Sequence, residues 1–170
     1  MSFYPSNNLK DLVAEPSDLV FLTHTASTTQ AITISNKVQL SSSVSKFGSW
    51  TPTISSDVIT LDTGYYYYVQ SAPQFYHSTG GTLGYVTHQH YNETSSSYIG
   101  TPGTCFSPGF EETASFSRDE SCKLFIDCIS SSVNISLKVT ANTNQTHVNY
   151  NAVQYVYGGL GRTIIWRLNP

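Results

Sequence analysis

Charged side chains are scarce in this 170-residue sequence. Asp, Glu, Lys and Arg make up 11% of it, whereas they make up about 25% of an ordinary globular domain. The chain nevertheless contains 39% hydrophobic and 13% aromatic residues, which is too many for an intrinsically disordered protein. Ser, Thr and Asn supply most of the polar side chains, and these residues favour strands and turns over helices. The composition therefore predicts an all-β domain.

Three other features are absent, and their absence argues against nucleic-acid binding, membrane association and secretion. There is no cluster of basic residues and the net charge is −3, so nucleic-acid binding through phosphate contacts is not expected. No apolar run approaches the ~20 residues of a membrane span, so a membrane is not expected as a partner. The N-terminal sequence MSFYPSNNLKDL lacks the basic and apolar regions of a secretion signal. We therefore expect synthesis in a cytoplasm without a signal peptide.

Cysteine is also rare, with three residues at Cys105, Cys122 and Cys128. An odd number in a chain without a secretion signal does not predict a disulfide framework. Cys122 and Cys128 are too far apart for a CxxC motif, and no histidine lies near either of them in sequence. We interpret the three cysteines as small buried hydrophobic residues.

The chain divides into two parts. Residues 1–19 contain two prolines and are predicted to form an N-terminal arm or a lead-in strand, and residues 20–170 are predicted to form one β-sandwich domain. Short apolar or alternating runs separated by turn signals predict about eight to ten strands and no long helix. This pattern is typical of an antiparallel two-sheet sandwich or barrel. The candidate strands lie at 31–40, 58–61, 65–70, 84–90, 123–128, 133–140, 152–157 and 163–168.

The middle region, residues 71–121, is the least regular part of the sequence. It contains Gly80-Gly81, Pro102-Gly103 and Pro108-Gly109, together with most of the histidines. Long loops on a β scaffold commonly carry a binding surface. We therefore expect loops here, with one short strand at 84–90.

One motif within this region has the residue types of a metal site. His88 and His90 are two residues apart, so they point to the same face of a strand, and Glu93 follows closely. With Gly84, the pattern resembles the first motif of the cupin family, which implies a metal held by those three side chains. The spacings are shorter than in cupins, and only His147 is available for the second motif. The metal site is thus the alternative to surface histidines or a histidine cluster on a trimer axis.

No pattern of a catalytic site was found. The sequence has no Gly-x-Ser-x-Gly, and the glycine-rich run at 158–162 opens no predicted helix and is not a phosphate loop. Paired carboxylates occur at Glu111-Glu112 and Asp119-Glu120, and we interpret them as solvent-exposed charges on loops. We expect a protein that is not an enzyme, with no catalytic residue and no cofactor.

Four consecutive tyrosines, Tyr65 to Tyr68, are the most unusual feature present. Successive side chains of a strand point to opposite faces, so two of the rings face away from any one core. Tyrosine combines a large apolar ring with a polar tip, which suits an interface between subunits. We predict that one pair of rings fills the core and the other pair contacts a second subunit.

The stretch around these tyrosines resembles a known family. DVITLDTGYYYYVQSAP at 57–73 is similar to the central hairpin of C1q/TNF-like jelly rolls, where a small turn ending in Gly precedes a Tyr-rich strand. YVYGGLGRTIIWRL at 155–168 resembles their last strands, and LFIDCISSSVNISLKV at 124–139 resembles the hairpin before them. The resemblance implies an antiparallel two-sheet jelly-roll sandwich.

The same resemblance implies a homotrimer, because these families pack aromatic residues of one strand about a threefold axis. The alternative phase of the tyrosine strand would place Tyr65 and Tyr67 at the interface instead. The predicted trimer-interface residues are Tyr66, Tyr68, Tyr155, Tyr157 and Trp166.

A low-charge jelly roll made in a host cytoplasm also resembles virion proteins of tailed bacteriophages. This implies a capsid decoration (cement) or head-fibre protein on the capsid surface, with the major capsid protein or other virion proteins as partners. The alternative is a fibre knob that binds a host receptor or surface glycan through the loops at 71–121. The apolar arm residues predicted to contact the capsid are Phe3, Tyr4, Leu9 and Leu12.

Overall fold

The structure is a computed structural model that describes residues 16–24, 30–31, 33–40, 44–73, 75–76, 84–107, 118–119, 121–143, 147–148 and 161–170. Every regular element in these ranges is a β-strand, which confirms the all-β prediction. Among the described residues there is no helix of the length and apolarity needed to cross a membrane. The predicted strand at 152–157 and the residues of the predicted arm before Pro16 lie outside the described ranges.

The strands are numbered in chain order. They are β1 (Pro16–Thr23), β2 (Gln30–Ala31), β3 (Val44–Phe47), β4 (Thr53–Ser55), β5 (Val58–Leu61), β6 (Tyr66–Ala72), β7 (Phe75–Tyr76), β8 (Gly84–Asn92), β9 (Ser97–Ser107), β10 (Arg118–Asp119), β11 (Cys122–Asp127), β12 (Val133–Thr143), β13 (His147–Val148) and β14 (Arg162–Leu168).

The order of the main strands defines a jelly roll. Taken in sequence, β1, β5, β6, β8, β9, β11, β12 and β14 pair from the outside inwards, with β1 on β14, β5 on β12, β6 on β11 and β8 on β9. This is the pairing of one long antiparallel ribbon rolled into two sheets. The first sheet has the order β3-β1-β14-β6-β11, and the second has the order β9-β8-β12-β5-β4. The predicted antiparallel two-sheet jelly-roll sandwich is therefore confirmed.

Strand β12 shows how the sequence pattern produces a half-buried strand. Its alternate apolar residues Ile135, Leu137 and Val139 are buried between the sheets, as the period of two predicts. Ser136 on the opposite face is also buried, which the alternation does not predict. The Ser136 hydroxyl donates to Glu93 Oε1 at 2.6 Å, and the segment at 33–40 lies beside β12, where Val38 N–H donates to Leu137 O at 2.8 Å.

One expectation about the middle region needs correction. The strand predicted at 84–90 is present as β8, which has nine residues, but β9 forms a strand of eleven residues at 97–107, where loops were expected. Both strands lie inside the sandwich, where β8 pairs with β12 as well as β9. In addition, β1 begins at Pro16, within the segment predicted to be an arm or a lead-in strand.

The two sheets approach each other most closely at Gly100. Thr101 of β9 pairs with Lys123 of β11, which joins the second sheet to the first. Gly100 has a φ of +72°, and a Cβ atom there would overlap the carbonyl oxygen of Lys123. The Gln89 side chain holds the bend, since its Nε2 donates to Gly100 O at 2.8 Å. Only glycine meets both requirements at this position.

The interior contains two clusters of buried apolar residues. The larger cluster includes Tyr67, Leu61 and Ile165, and the smaller one includes Val86 and Leu137. Cys128 belongs to the larger cluster, whereas Cys105 and Cys122 belong to the smaller one. All three cysteines are buried and free of disulfides, which confirms their prediction as small buried residues.

Candidate functional site

Strand β6 separates its tyrosines between the two faces of the first sheet. Tyr67 and Val69 point inwards and are fully buried, whereas Tyr66 and Tyr68 point outwards and are partly exposed. The hydroxyl of Tyr67 accepts from the backbone N–H of Asp62 at 3.1 Å and donates to Asp62 O at 3.2 Å. Of the two phases left open by the sequence, the structure shows the one that places Tyr66 and Tyr68 on the outer face.

A continuous row of large apolar residues crosses the outer face of all five strands of this sheet. Tyr68 lies opposite Trp166 on β14 and opposite Phe125 on β11. Trp166 in turn lies opposite Leu19 on β1, and Leu19 lies opposite Phe47 on β3. We call the outer surface built on this row the aromatic face. Its residues are Leu19, Phe21, Phe47, Tyr66, Tyr68, Phe125, Ile164 and Trp166.

The rings of the aromatic face contact one another. Tyr68 and Trp166 have ring centroids 5.2 Å apart, and Tyr66 is stacked on Phe125 with centroids 5.9 Å apart. The two rings at opposite ends of the row remain open to solvent, since Phe47 is 70% exposed and Phe125 is 62% exposed. Single exposed apolar residues are ordinary on a protein surface, but a contiguous apolar patch commonly marks an interaction site.

Polar residues border the aromatic face. Lys123 lies opposite Gln70 and Asp127 lies opposite Tyr66. Arg162 is the first residue of β14 and lies opposite Ala72. Lys123, Asp127 and Arg162 are all exposed. An apolar centre with a charged rim is the usual composition of a protein–protein interface.

An ion pair beneath the aromatic face joins β1 to β14. Arg167 donates from Nε to Asp18 Oδ2 at 2.8 Å, and its Nη2 pairs with the same oxygen. The other carboxylate oxygen of Asp18 accepts from the backbone N–H of Trp50 at 2.7 Å. The guanidinium also lies 4.1 Å from the centre of the Tyr65 ring, so Tyr65 makes a cation–π contact with Arg167. Burial alone would raise the pKa of Asp18, but the hydrogen bonds from Trp50 and Arg167 outweigh it and lower that pKa.

A cluster of three buried histidines lies between the sheets. His88 and His90 point inwards from β8 and are 0% and 2% exposed, and His24 at the end of β1 is 0% exposed. The expectation of surface histidines is therefore wrong for His88 and His90. They are buried because β8 is an inner strand of the second sheet, flanked by β9 and β12.

Two hydroxyl groups connect the histidines of opposite sheets. His24 Nε2 lies 2.8 Å from Thr163 Oγ1, which lies 2.6 Å from Ser71 Oγ, and Ser71 Oγ lies 2.9 Å from His90 Nε2. Ser71 is on β6 and Thr163 is on β14, the two central strands that also carry Tyr68 and Trp166 on their outer side. We call His24, His88 and His90, with these two hydroxyls, the histidine cluster.

The three candidate metal ligands are not brought together. Glu93 lies on the outside of the second sheet, where Ser136 Oγ donates to its Oε1 at 2.6 Å and Lys138 Nζ lies 3.3 Å away. Desolvation would raise the pKa of Glu93, but these contacts outweigh it and lower the pKa. Within the described ranges, no group of three or more His, Cys, Asp or Glu side chains is arranged to hold a metal ion.

The sequence identified part of the aromatic face and missed the rest. Tyr66, Tyr68 and Trp166 lie together on it, as predicted for one interface. Phe47 and Phe125 were not predicted, although the alternation in KLFID would have placed Phe125 opposite the buried Leu124. The other six predicted residues lie where no side chain is described. They are Tyr155, Tyr157, Phe3, Tyr4, Leu9 and Leu12.

Comparison with known proteins shows similarity of fold only. No protein-family model matches the chain, and no curated protein matches it. Among solved structures, the chain is similar to an Eiger TNF from S. frugiperda, with 14% sequence identity, a TM-score of 0.48, and coverage of 91% of this chain and 94% of that chain. We therefore assign the fold from the strand order of this chain, which is that of an all-β jelly roll. The side chains give the outer surface of its first sheet an aromatic character.

Proposed function

We propose that this chain is a non-enzymatic structural protein that assembles into a homotrimer through its aromatic face. The observation that carries the proposal is the row from Phe47 to Phe125, which crosses five neighbouring strands without a charged residue. Further copies of the same chain are the partner that fits best. Trp, Tyr and Phe are enriched at the centres of interfaces and Lys, Glu and Asp are depleted there, and the chain as a whole shows this same bias.

The exposed rings of this face would contribute favourably to assembly. Burial of apolar surface contributes about 25 cal/mol per Å². Phe47 and Phe125 expose most of their rings, and covering these with the partly exposed Tyr66 and Tyr68 would contribute several kcal/mol per protomer, roughly. The stacked arrangement of Tyr66 and Phe125 reduces the cost of ordering their side chains on association.

Mutation of the two most exposed rings tests the trimer. In the double variant Phe47→Ser/Phe125→Ser, we expect a folded monomer in sedimentation equilibrium, because both rings contact solvent in the isolated chain and contribute little to its core. The matched control is Tyr85→Ser/Tyr98→Ser on the outer face of the second sheet, where each ring is 41% exposed. The control should remain trimeric. A wild-type protein that is monomeric at tens of micromolar, or a double variant that stays trimeric, contradicts the proposal.

The finer proposal is that the trimer decorates the capsid of a tailed bacteriophage. It is supported by the low charge, by the Ser-, Thr- and Asn-rich composition and by the jelly-roll architecture. The partner would be the major capsid protein, contacted by the arm residues Phe3, Tyr4, Leu9 and Leu12. Immunogold labelling and copy number per particle test it. Trimers spread over the capsid support decoration, whereas a few copies at the tail tip support the receptor- or glycan-binding knob.

A further inference from the structure

The hydrogen-bond chain of the histidine cluster can be completed with both of its imidazoles neutral. Three hydrogen bonds connect His24, Thr163, Ser71 and His90, and the two hydroxyls supply two of the three hydrogens. The third hydrogen must come from one imidazole Nε2, while the other imidazole Nε2 accepts. Nδ1 of each ring is buried without a close hydrogen-bond partner among the described residues, but the backbone of Gln39 acts to raise the pKa of His24 and so marks an acceptor near that ring. We therefore assign the proton of His90 to Nε2 and that of His24 to Nδ1, which leaves His24 Nε2 as the acceptor at the far end of the chain.

A second proton on either of these rings leaves a broken hydrogen bond or an unsatisfied buried donor. On His24 it would face the hydroxyl hydrogen of Thr163, so either this hydrogen bond breaks, or both hydroxyls turn round and the proton of His90 moves to Nδ1. On His90 the second proton would itself reside on Nδ1, and no acceptor for Nδ1 is available among the described residues. A buried donor without an acceptor is destabilising, and more so if it is charged.

Among the described residues, no opposite charge faces His24 or His90 from the surrounding strands. The titratable groups beside them are Cys105 on β9, with Sγ 3.9 Å from His88 Nδ1, and Cys122 on β11, with Sγ 3.8 Å from His90 Nε2. Burial raises the pKa of Cys122 to about 12, so this thiol does not supply a thiolate to balance an imidazolium. In the described part of the chain, no Asp, Glu, Lys or Arg contributes to the titration of these imidazoles, and the charges that act on them are those of the other histidines.

We propose that the histidine cluster is an acid-sensitive switch, which keeps the sandwich closed at neutral pH and opens this end of it as the pH falls to about 5. Opening would separate Ser71 from His90 and so release β6, together with its neighbour β14, from the second sheet. The same two strands carry the centre of the aromatic face, so acidification would also disrupt any assembly built on it. The switch itself concerns the stability of the fold and does not depend on the proposed trimer.

The direction of the pKa shifts agrees with this geometry. Burial is the main cause in each case, and it lowers the pKa of His24 to about 4, that of His88 to about 4 and that of His90 to about 3. In His90, the neighbouring His88 and His24 lower the pKa further. An unfolded histidine has a pKa of about 6.5. The unfolded chain therefore binds protons that the folded chain excludes, and the stability is full above about pH 6.5 and is lost progressively towards pH 4.

Urea unfolding at several pH values and one fixed protein concentration tests the switch. For one imidazole with these two pKa values, the unfolding equilibrium constant should rise by about thirtyfold between about pH 7.5 and about pH 5.0. The wild type, with three such residues, should show a rise of about twenty-thousandfold, because the three factors multiply. In His24→Gln and His90→Gln, the amide keeps a donor or acceptor near the position of Nε2 but does not titrate. In each variant, the rise of the unfolding equilibrium constant between these two pH values should be about thirtyfold smaller than in the wild type.

The control is Val86→Ala, which lies in the same part of the core and removes no titrating group. It should lower the stability at both pH values by the same factor. A wild-type unfolding constant that does not change with pH, or glutamine variants that keep the full pH dependence, would overturn the proposal. If the glutamine variants do not fold, NMR titration of the wild-type imidazoles tests the proposal. Three imidazoles should remain neutral in the folded protein at about pH 5.5. Ordinary titration of all five imidazoles near pH 6.5 in the folded protein would also overturn the proposal.

Discussion

Gly100 and Gly64 have the same backbone requirement but different surroundings. Both have positive φ values, +72° and +96°. A Cβ atom at Gly100 would overlap Lys123 O and lie 3.1 Å from the Cα of Leu124, whereas a Cβ atom at Gly64 would have nothing within 4 Å. The pair therefore separates two physical effects that usually occur together, the strain of a left-handed backbone and the space needed for the approach of two strands.

We predict that Gly100→Ala is much more destabilising than Gly64→Ala. The φ penalty alone should cost Gly64→Ala about 1 kcal/mol of unfolding free energy. Gly100→Ala adds a clash with backbone that cannot move without separating β9 from β11, so we expect a loss of at least about 3 kcal/mol. Urea denaturation of the two variants measures both values. Equal losses would show that the sheets are not held together at this position.

The Asp18–Arg167 pair shows how residue-level chemistry supports the aromatic face. Asp18 is buried, so its charge requires the hydrogen bonds from Trp50 and Arg167. Arg167 alternates along β14 with Trp166, and its position over the Tyr65 ring fixes the strand from the inside. The exposed row on the outer side is thus carried by strands whose inner side is anchored by specific polar contacts as well as by apolar packing.

At the scale of the element, the sequence predicted both the position of β6 and its two faces, whereas for β8 it predicted the strand but not the burial of its histidines. Alternation is a local property, and the four tyrosines with the following valine show it directly in β6. The burial of His88 and His90 depends on Ser71 and Thr163, which are distant in sequence and approach only when the ribbon has rolled up. A polar residue whose hydrogen-bond partners come from other strands looks like a surface residue in the sequence.

The same reasoning explains which parts of the aromatic face were found. Trp166 and Tyr68 were predicted for one interface because both belong to recognisable strands. Their contact, and the extension of the row to Phe47, depends on the register of β1 against β14 and β3. Register between strands that are far apart in the chain is set by the whole fold, so it is not visible in local patterns.

Strand β6 gives a direct test of the two faces. In Tyr67→Ser, the loss of a fully buried ring and its contact with Trp50 should lower the unfolding free energy by at least about 3 kcal/mol. In Tyr66→Ser, the neighbouring residue on the outer face, the isolated domain should lose about 1 kcal/mol or less, since that ring is partly exposed. Thermal or urea unfolding of monomeric protein measures both. A larger loss for Tyr66→Ser than for Tyr67→Ser would contradict the orientation of the strand.

At the scale of the whole molecule, the interior has one part held by apolar packing alone and another part whose stability also depends on the hydrogen bonds of the histidine cluster. The larger apolar cluster holds Tyr67, Leu61 and Ile165, whereas the smaller cluster adjoins the histidine cluster. Burial of polar groups between the sheets is stabilising only while every hydrogen bond of the network is made. We therefore expect the end of the sandwich that contains the histidines to open at a lower free energy than the rest.

The three cysteines report this difference, because they are distributed between the two parts. Burial raises the pKa of Cys122 to about 12 and that of Cys128 to about 11, so neither thiol reacts while it is enclosed. In dilute urea below the unfolding transition, we predict that a maleimide modifies Cys105 and Cys122 before Cys128, as measured by peptide mass spectrometry over time. At about pH 6.5 the lead of Cys105 and Cys122 should be greater than at about pH 7.5, because protonation favours the open state. Modification of all three cysteines at one rate would show that the sandwich opens only as a single unit. Earlier modification of Cys128 would show that the part of the core around Cys128 opens at a lower free energy than the end that contains the histidines.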